Sequence, residues 1–345
     1  MCNLKKRTSM NRNYSIDTLR TIATLLVILI HISAGYVITG KNDLVFDTSF
    51  WIGNIVDSFS RICVPLFVLM SGMFLVGRNE SFKQSYQKRA SRILIPLISW
   101  TIIYIVYRVA IPFITDNPID IKTLLVTVIS GRPYYHMWYL FMIIGLYLIT
   151  PILNNSISYV SRNTLWTVAI LLLLFGMLNS SYDKILNNKV SFILWFINYL
   201  GYFILGYLIK DSKRSFSFLA LSSAYIISSI LIAILSLYTI KQYNSLYFYG
   251  YLTPFVIIGS LSFYKFFHQL KLGRNVFSKI SHLTLGIYLI HAGVLHVLNS
   301  CLSMLDINIF NNSIIGIPMK FCITFFISLI AAWIISKVKY IRNII

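Results

Sequence analysis

Charge is scarce in this 345-residue chain: 12% of its residues are Asp, Glu, Lys or Arg, and only 10 are acidic. A water-soluble domain carries about 25% charged residues, so a wet surface cannot be assembled from this composition. The four cysteines, Cys2, Cys63, Cys301 and Cys322, are scattered without a metal-ligand spacing, and no metal is expected. Three of them fall in apolar runs, where a thiol packs as a small hydrophobe. No lipobox surrounds Cys2, and no glycine follows the initiator methionine to accept a myristoyl group. No cleavage pattern precedes the first apolar run, which reads as a retained helix. Nor is there a convincing internal repeat, which counts against inverted-repeat transporter architectures.

What the chain has is apolar length. Hydrophobic residues make up 57% of it, its mean hydropathy is +0.74, and runs near the ~20 residues that cross a bilayer recur throughout. They predict an all-α integral membrane protein of about ten transmembrane helices, roughly 18–38, 51–76, 92–114, 137–153, 164–180, 191–209, 216–238, 246–266, 281–301 and 314–336. The whole of 1–345 reads as a single membrane domain behind a short basic arm, 1–17. Its longest loop is 115–136, within which 119–130 is expected to form an interfacial helix.

The net charge of +20 invites a nucleic-acid reading, but the positions of the charges exclude it. With the N-terminus placed in the cytoplasm, 21 of the 30 basic residues fall in cytoplasmic segments and 6 in outer loops. That bias sets orientation and predicts both termini in the cytoplasm. No contiguous basic face is left over for a nucleic acid.

A few ionisable residues interrupt the spans. Arg20 and His31 are eleven residues apart, so at ~100° and ~1.5 Å per residue they share one helix face with His31 ~16 Å deeper. Arg61 and His291 come out at similar depth when counted from the ends of their own spans. Coincident depth on three spans predicts a shared polar cavity, since an intramembrane ionisable group is a functional candidate by default. Asp57, four residues before Arg61, is placed to pair with it, and Arg61 could equally be a structural partner of Asp57. The histidines could likewise serve only as hydrogen-bonding packing between helices. Arg108, His136 and His296 fall further out, where with Trp138 they would line an outer vestibule. At the mouth of the third span, Lys88-Arg89-Ala90-Ser91-Arg92 sets Arg89 and Arg92 three apart, a fork suited to phosphates; as cytoplasmic basic residues they could also be topology markers only.

Taken in order, several stretches resemble the membrane acyltransferase-3 family. They are Tyr14-Ser15-Ile16-Asp17-Thr18-Leu19-Arg20 with His31, Val64 through Leu75, Arg89-x-x-Arg92 with Ile95-Pro96, His136-Met137-Trp138-Tyr139-Leu140 with Thr150-Pro151, and Ser281 through His291. The His136–Leu140 stretch looks most like the single-domain branch that includes enterobacterial common antigen O-acetyltransferase. The resemblance implies a membrane O-acyltransferase moving an acyl group from a cytoplasmic acyl-CoA donor, acetyl-CoA first, to a hydroxyl of a cell-surface or lipid-linked polysaccharide. It implies Arg20 and His31 in the active centre and Arg89 and Arg92, flanked by Lys88, at the donor; the depth count adds Arg61 and His291 as candidate catalytic residues. Longer members carry an extracytoplasmic esterase-like domain; the chain ending at Ile345 is expected to lack it. A transporter of a glycan or small acid is the competing class, since ten spans around a polar cavity suit it too.

Overall fold

The computed structural model describes residues 12–110, 121–186 and 191–345, without the side chains of 88–91 and 183–186. Every regular element among them is helical. The first helix, α1 (Tyr14–Asp43), starts where the Asn13 side chain accepts from the Ile16 N–H and stops at Leu44, whose φ of 53° closes the end. Its 30 residues reach ~45 Å, beyond the ~30 Å hydrocarbon core, so the Arg20 end projects past the apolar layer.

The expected 51–76 span forms as two pieces, α2 (Thr48–Ser60) and α3 (Cys63–Leu75), with a break at Arg61 and Ile62. The next helix, α4 (Phe82–Ala110), begins ten residues earlier than expected and carries Pro96 inside it. A short helix, α5 (Ile121–Ile129), shows Ile121, Leu125, Val126 and Ile129 to the outside, the behaviour of an element lying along an apolar boundary. Then come α6 (Trp138–Ile157), α7 (Arg162–Leu186), α8 (Trp195–Lys210, led in by a 3₁₀ turn) and α9 (Phe218–Tyr243). The chain continues through α10 (Pro254–Gln269), α11 (Val276–Ile280), α12 (Thr284–Met304) and α13 (Ser313–Lys337).

Among the described residues, nine stretches are long and apolar enough to span a membrane. The expected 246–266 span departs from this pattern. It holds a 3₁₀ turn, Tyr247–Tyr249, and a 16-residue helix opened by Pro254. Proline at the first helical position gives up an N–H that would have had no partner there, which fixes the helix start well inside the run. At ~24 Å, α10 is shorter than the hydrocarbon core. Backbone outside a helix is tolerated at such a depth only where protein satisfies it.

At the centre, α3 packs flat on α8. A side chain on Gly72 would strike the Phe203 carbonyl, and one on Gly206 would strike the Leu69 carbonyl. Because lipid is as apolar as leucine, helices in a bilayer associate through close backbone approach of this kind rather than through water exclusion. Around that pair, α1 runs against α2, α12 and α13, and α4 against α6.

Candidate active site

Three histidines from three parts of the chain meet in the interior. From α1, His31 lays its ring on that of His291 from α12, with centroids 5.3 Å apart and planes 26° from parallel. The turn before α6 brings His136 edge-on to His291 at 5.2 Å. His136 and His291 are fully buried, while His31 is half-buried with Tyr135 against its edge at 4.8 Å.

The local bonding sets the state of one ring. Nδ1 of His291 is 2.5 Å from the Tyr288 carbonyl. A carbonyl only accepts, so Nδ1 carries the hydrogen, and Nε2 of a neutral ring keeps its lone pair. Among the described residues that Nε2 has no hydrogen-bond partner, and neither has either ring nitrogen of His136. The Leu289 carbonyl, which lies toward His136, accepts from the Tyr104 hydroxyl at 2.6 Å. Tyr288 donates its own hydroxyl to the His136 carbonyl, which pins the turn against α12.

A cavity of about 990 Å³ approaches this group from one end of the bundle. Its mouth carries Arg20, Arg78, Arg92 and Arg342 with Glu80 and His282; its walls include Phe67, Phe74, Ile143 and Leu285. Its lining also includes Tyr139 and Tyr288, whose rings are 5.8 Å apart. The Tyr288 ring is in turn 5.2 Å from His136 and 5.8 Å from His291. Along α12, Ser281 at the mouth and Tyr288 at the inner end are seven residues, or ~10 Å, apart. At the mouth, Arg20 is 3.7 Å from Asp17 and stands over Phe74, while Arg12 bridges Asp17 at 2.6 Å to the Ser278 carbonyl at 2.9 Å.

Arg61 is held elsewhere. Its Nε donates to Asp57 at 2.5 Å, its Nη1 to the Tyr249 carbonyl at 3.1 Å, and its guanidinium lies 4.5 Å from the Tyr249 ring. The Tyr249 hydroxyl donates to Asn54, whose amide nitrogen donates to the Ala233 carbonyl. This network joins the break between α2 and α3 to the irregular backbone before α10, so two interrupted spans satisfy each other.

The expected constellation is therefore rearranged. His31 and His291 meet as expected, and Asp57 pairs with Arg61. Arg61 does not join the histidine rings, while Arg20 opens on the cavity mouth, toward the end of α1 where the spacing from His31 put it. His136 belongs to the buried group and not to an outer vestibule, because residues 133–137 turn inward under Tyr288. Arg108 stays outside, donating to Thr127 at 2.8 Å and so tying α4 to α5. Trp138 stacks on Tyr251 with centroids 5.7 Å apart, a packing contact. His296 meets the Tyr107 hydroxyl at 2.7 Å. Arg92 lines the cavity, whereas the side chains of Lys88 and Arg89 lie outside the described residues. Arg78, Arg342, Tyr135 and Tyr288 were not anticipated. The Arg342 segment is tied to α4 by the Trp100 indole, which donates to the Ile344 carbonyl at 2.9 Å. Among the described residues no set of three or more His, Cys, Asp or Glu is arranged to hold a metal ion.

Compared with known families, residues 13–337 match an acyltransferase domain, Acyl_transf_3. The chain belongs to the acyltransferase-3 family. Nodulation protein NolL from Mesorhizobium japonicum is 25% identical to this acyltransferase-3 chain over 165 residues. That alignment covers 46% of the chain and 39% of the length of NolL. No solved structure matches this family member.

Proposed function

We propose that the protein is a multi-pass O-acyltransferase of a bacterial cytoplasmic membrane. In this reading it moves an acyl group, acetyl first, from cytoplasmic acyl-CoA to a hydroxyl of a cell-surface or lipid-linked polysaccharide. The observation that carries the reading is the arginine-mouthed cavity that ends at Tyr288, with the histidine group immediately behind it. Four guanidiniums suit the phosphates of coenzyme A, the aromatic and aliphatic walls suit its flexible arm, and the depth would set the thioester near the rings. The basic excess at this end supports placing it, with both termini, in the cytoplasm. Arg89, from the helical turn that bears Arg92, joins the donor set by family resemblance, with Lys88 beside it.

His31 is the acceptor-side base in this scheme. Its imidazole takes the proton of the acceptor hydroxyl, the hydroxyl oxygen forms the ester bond to the acyl carbon, and the carbon–sulfur bond breaks. The leaving sulfur recovers the proton from His31. Stacked on His31, His291 fixes the ring orientation, and Tyr135, exposed on the other side of His31, marks the approach of the sugar. Arg61 serves as a structural clamp.

The test is transfer of label from acetyl-CoA by the purified protein in detergent, with surface-polysaccharide extract as acceptor. Alkali-labile label in the glycan is the expected result. An intact thioester, together with glycan uptake into vesicles holding the protein, would instead establish a transporter.

A further inference from the structure

A second cavity, of about 1080 Å³, lies at the same basic end and shares no lining residue with the one that reaches the histidines. It sits between the starts of α7 and α9 and the ends of α8 and α10. Its rim carries Arg162, Lys213, Arg214 and Lys265 against one acid, Asp211; its floor is apolar, with Trp166 and Leu221 among its residues.

The charges on this rim are unbalanced. Asp211 is 3.8 Å from Arg162, and Arg162 also donates to the Leu208 carbonyl at 2.8 Å. No carboxylate among the described residues is within ion-pairing distance of Lys213, Arg214 or Lys265. Lys265 is only 6% exposed, and its ammonium donates to the Ser212 carbonyl at 3.4 Å. A cation withdrawn from water beside one carbonyl is costly to keep, and an anion at the rim would offset that cost. Ile170, which lines the cavity and is 49% exposed, carries the apolar floor to the outer surface of the bundle. A soluble phosphate would satisfy the rim and leave the floor uncovered. Basic pockets between spanning helices on this side of a membrane are suited to anionic lipid headgroups.

We propose that this cavity binds an anionic phospholipid from the adjacent leaflet, its phosphate against Lys213, Arg214 and Lys265 and one acyl chain along Trp166 and Leu221. The site is separate from acyl transfer and stands whether or not that reading holds.

Native mass spectrometry of the full-length protein in detergent, titrated with phosphatidylglycerol, phosphatidylcholine or glycerol 3-phosphate, tests it. Wild type should retain phosphatidylglycerol in preference to phosphatidylcholine, and glycerol 3-phosphate should not displace it. Neutralising two exposed rim charges in K213Q/R214Q should weaken phosphatidylglycerol binding roughly 30-fold, from about fivefold per charge, while thermal unfolding of the delipidated protein stays unchanged. Three outcomes would overturn the proposal: equal retention of the two lipids, undiminished phosphatidylglycerol binding by the variant, or effective competition by glycerol 3-phosphate. The last would mark a phosphate site and not a lipid site.

Discussion

Two polar clusters are buried in the interior, and they are finished differently. Around Arg61, the charged pair is bonded on both sides: Asp57 accepts from the guanidinium, the Tyr249 carbonyl accepts a second N–H, and Asn54 joins the Tyr249 hydroxyl to α9. Around His291, the rings are gathered, but among the described residues Nε2 of His291 and both ring nitrogens of His136 make no hydrogen bond. Buried polar groups are nearly always bonded, so each one that is not calls for an explanation. A satisfied network holds two broken spans together; an unsatisfied one keeps lone pairs in reserve. The same residue types that read alike as midplane ionisable groups thus divide into a bonded clamp and the group proposed as the reaction centre.

The largest separation between the clusters is expected in activity. His31→Ala should lower acyl transfer by roughly 10²–10⁴-fold, the range that a positioned acid–base group supplies, with unfolding temperature and detergent monodispersity near wild type. Asp57→Ala should do the reverse and strip the folded state of about 3–5 kcal/mol by leaving Arg61 buried and unpaired, read as lost thermal stability and poor recovery. If Asp57→Ala folded normally but were inactive, the division into clamp and centre would be wrong.

Next in size is the arginine-lined cavity mouth proposed to hold the donor. Arg92→Ala combined with Arg342→Ala should raise the acetyl-CoA concentration for half-maximal rate by roughly tenfold or more, since charge-assisted bonds of about 1.5–3 kcal/mol each are partly screened at an open mouth. Unchanged coenzyme A affinity in equilibrium binding would remove the donor assignment from this cavity. The smallest effect should come from Tyr104→Phe, which removes the hydroxyl bond to the Leu289 carbonyl. About 1 kcal/mol of stability should go, and a change in rate should accompany it only if that carbonyl fixes His136.

Much of this molecule was legible from hydrophobic periodicity. The helices, the short helix within 119–130, which is observed at Ile121–Ile129, and the Asp57–Arg61 pair follow from spacing along one element at a time. The histidine meeting was half legible: depth counted along α1 and α12 brings His31 and His291 to one level, but depth does not say which faces turn inward. His136 was misplaced because it sits in a turn, where no period applies and the direction is set by Tyr288 from 152 positions away. Tyr288 could have been found, since three residues before His291 on a helix is the same face. Tyr249 gave no such signal. Its partner is a carbonyl exposed by an irregular segment, and only Pro254 hints that the span is interrupted there. Arg78 and Arg342 looked like ordinary cytoplasmic basic residues, and their convergence on Arg20 and Arg92 depends on the packing of α1, α4 and the segment after α13.

The most direct measurement is acetyl transfer and thermal unfolding on the same preparation of His31→Gln. Glutamine keeps a hydrogen-bonding side chain of similar reach and has no titratable nitrogen, so it can bridge helices but cannot take the acceptor proton. A folded protein with an unfolding temperature near wild type and no transfer above background is the result expected of a reaction centre. A glutamine variant that keeps most of the wild-type rate would make His31 a packing residue and contradict the account.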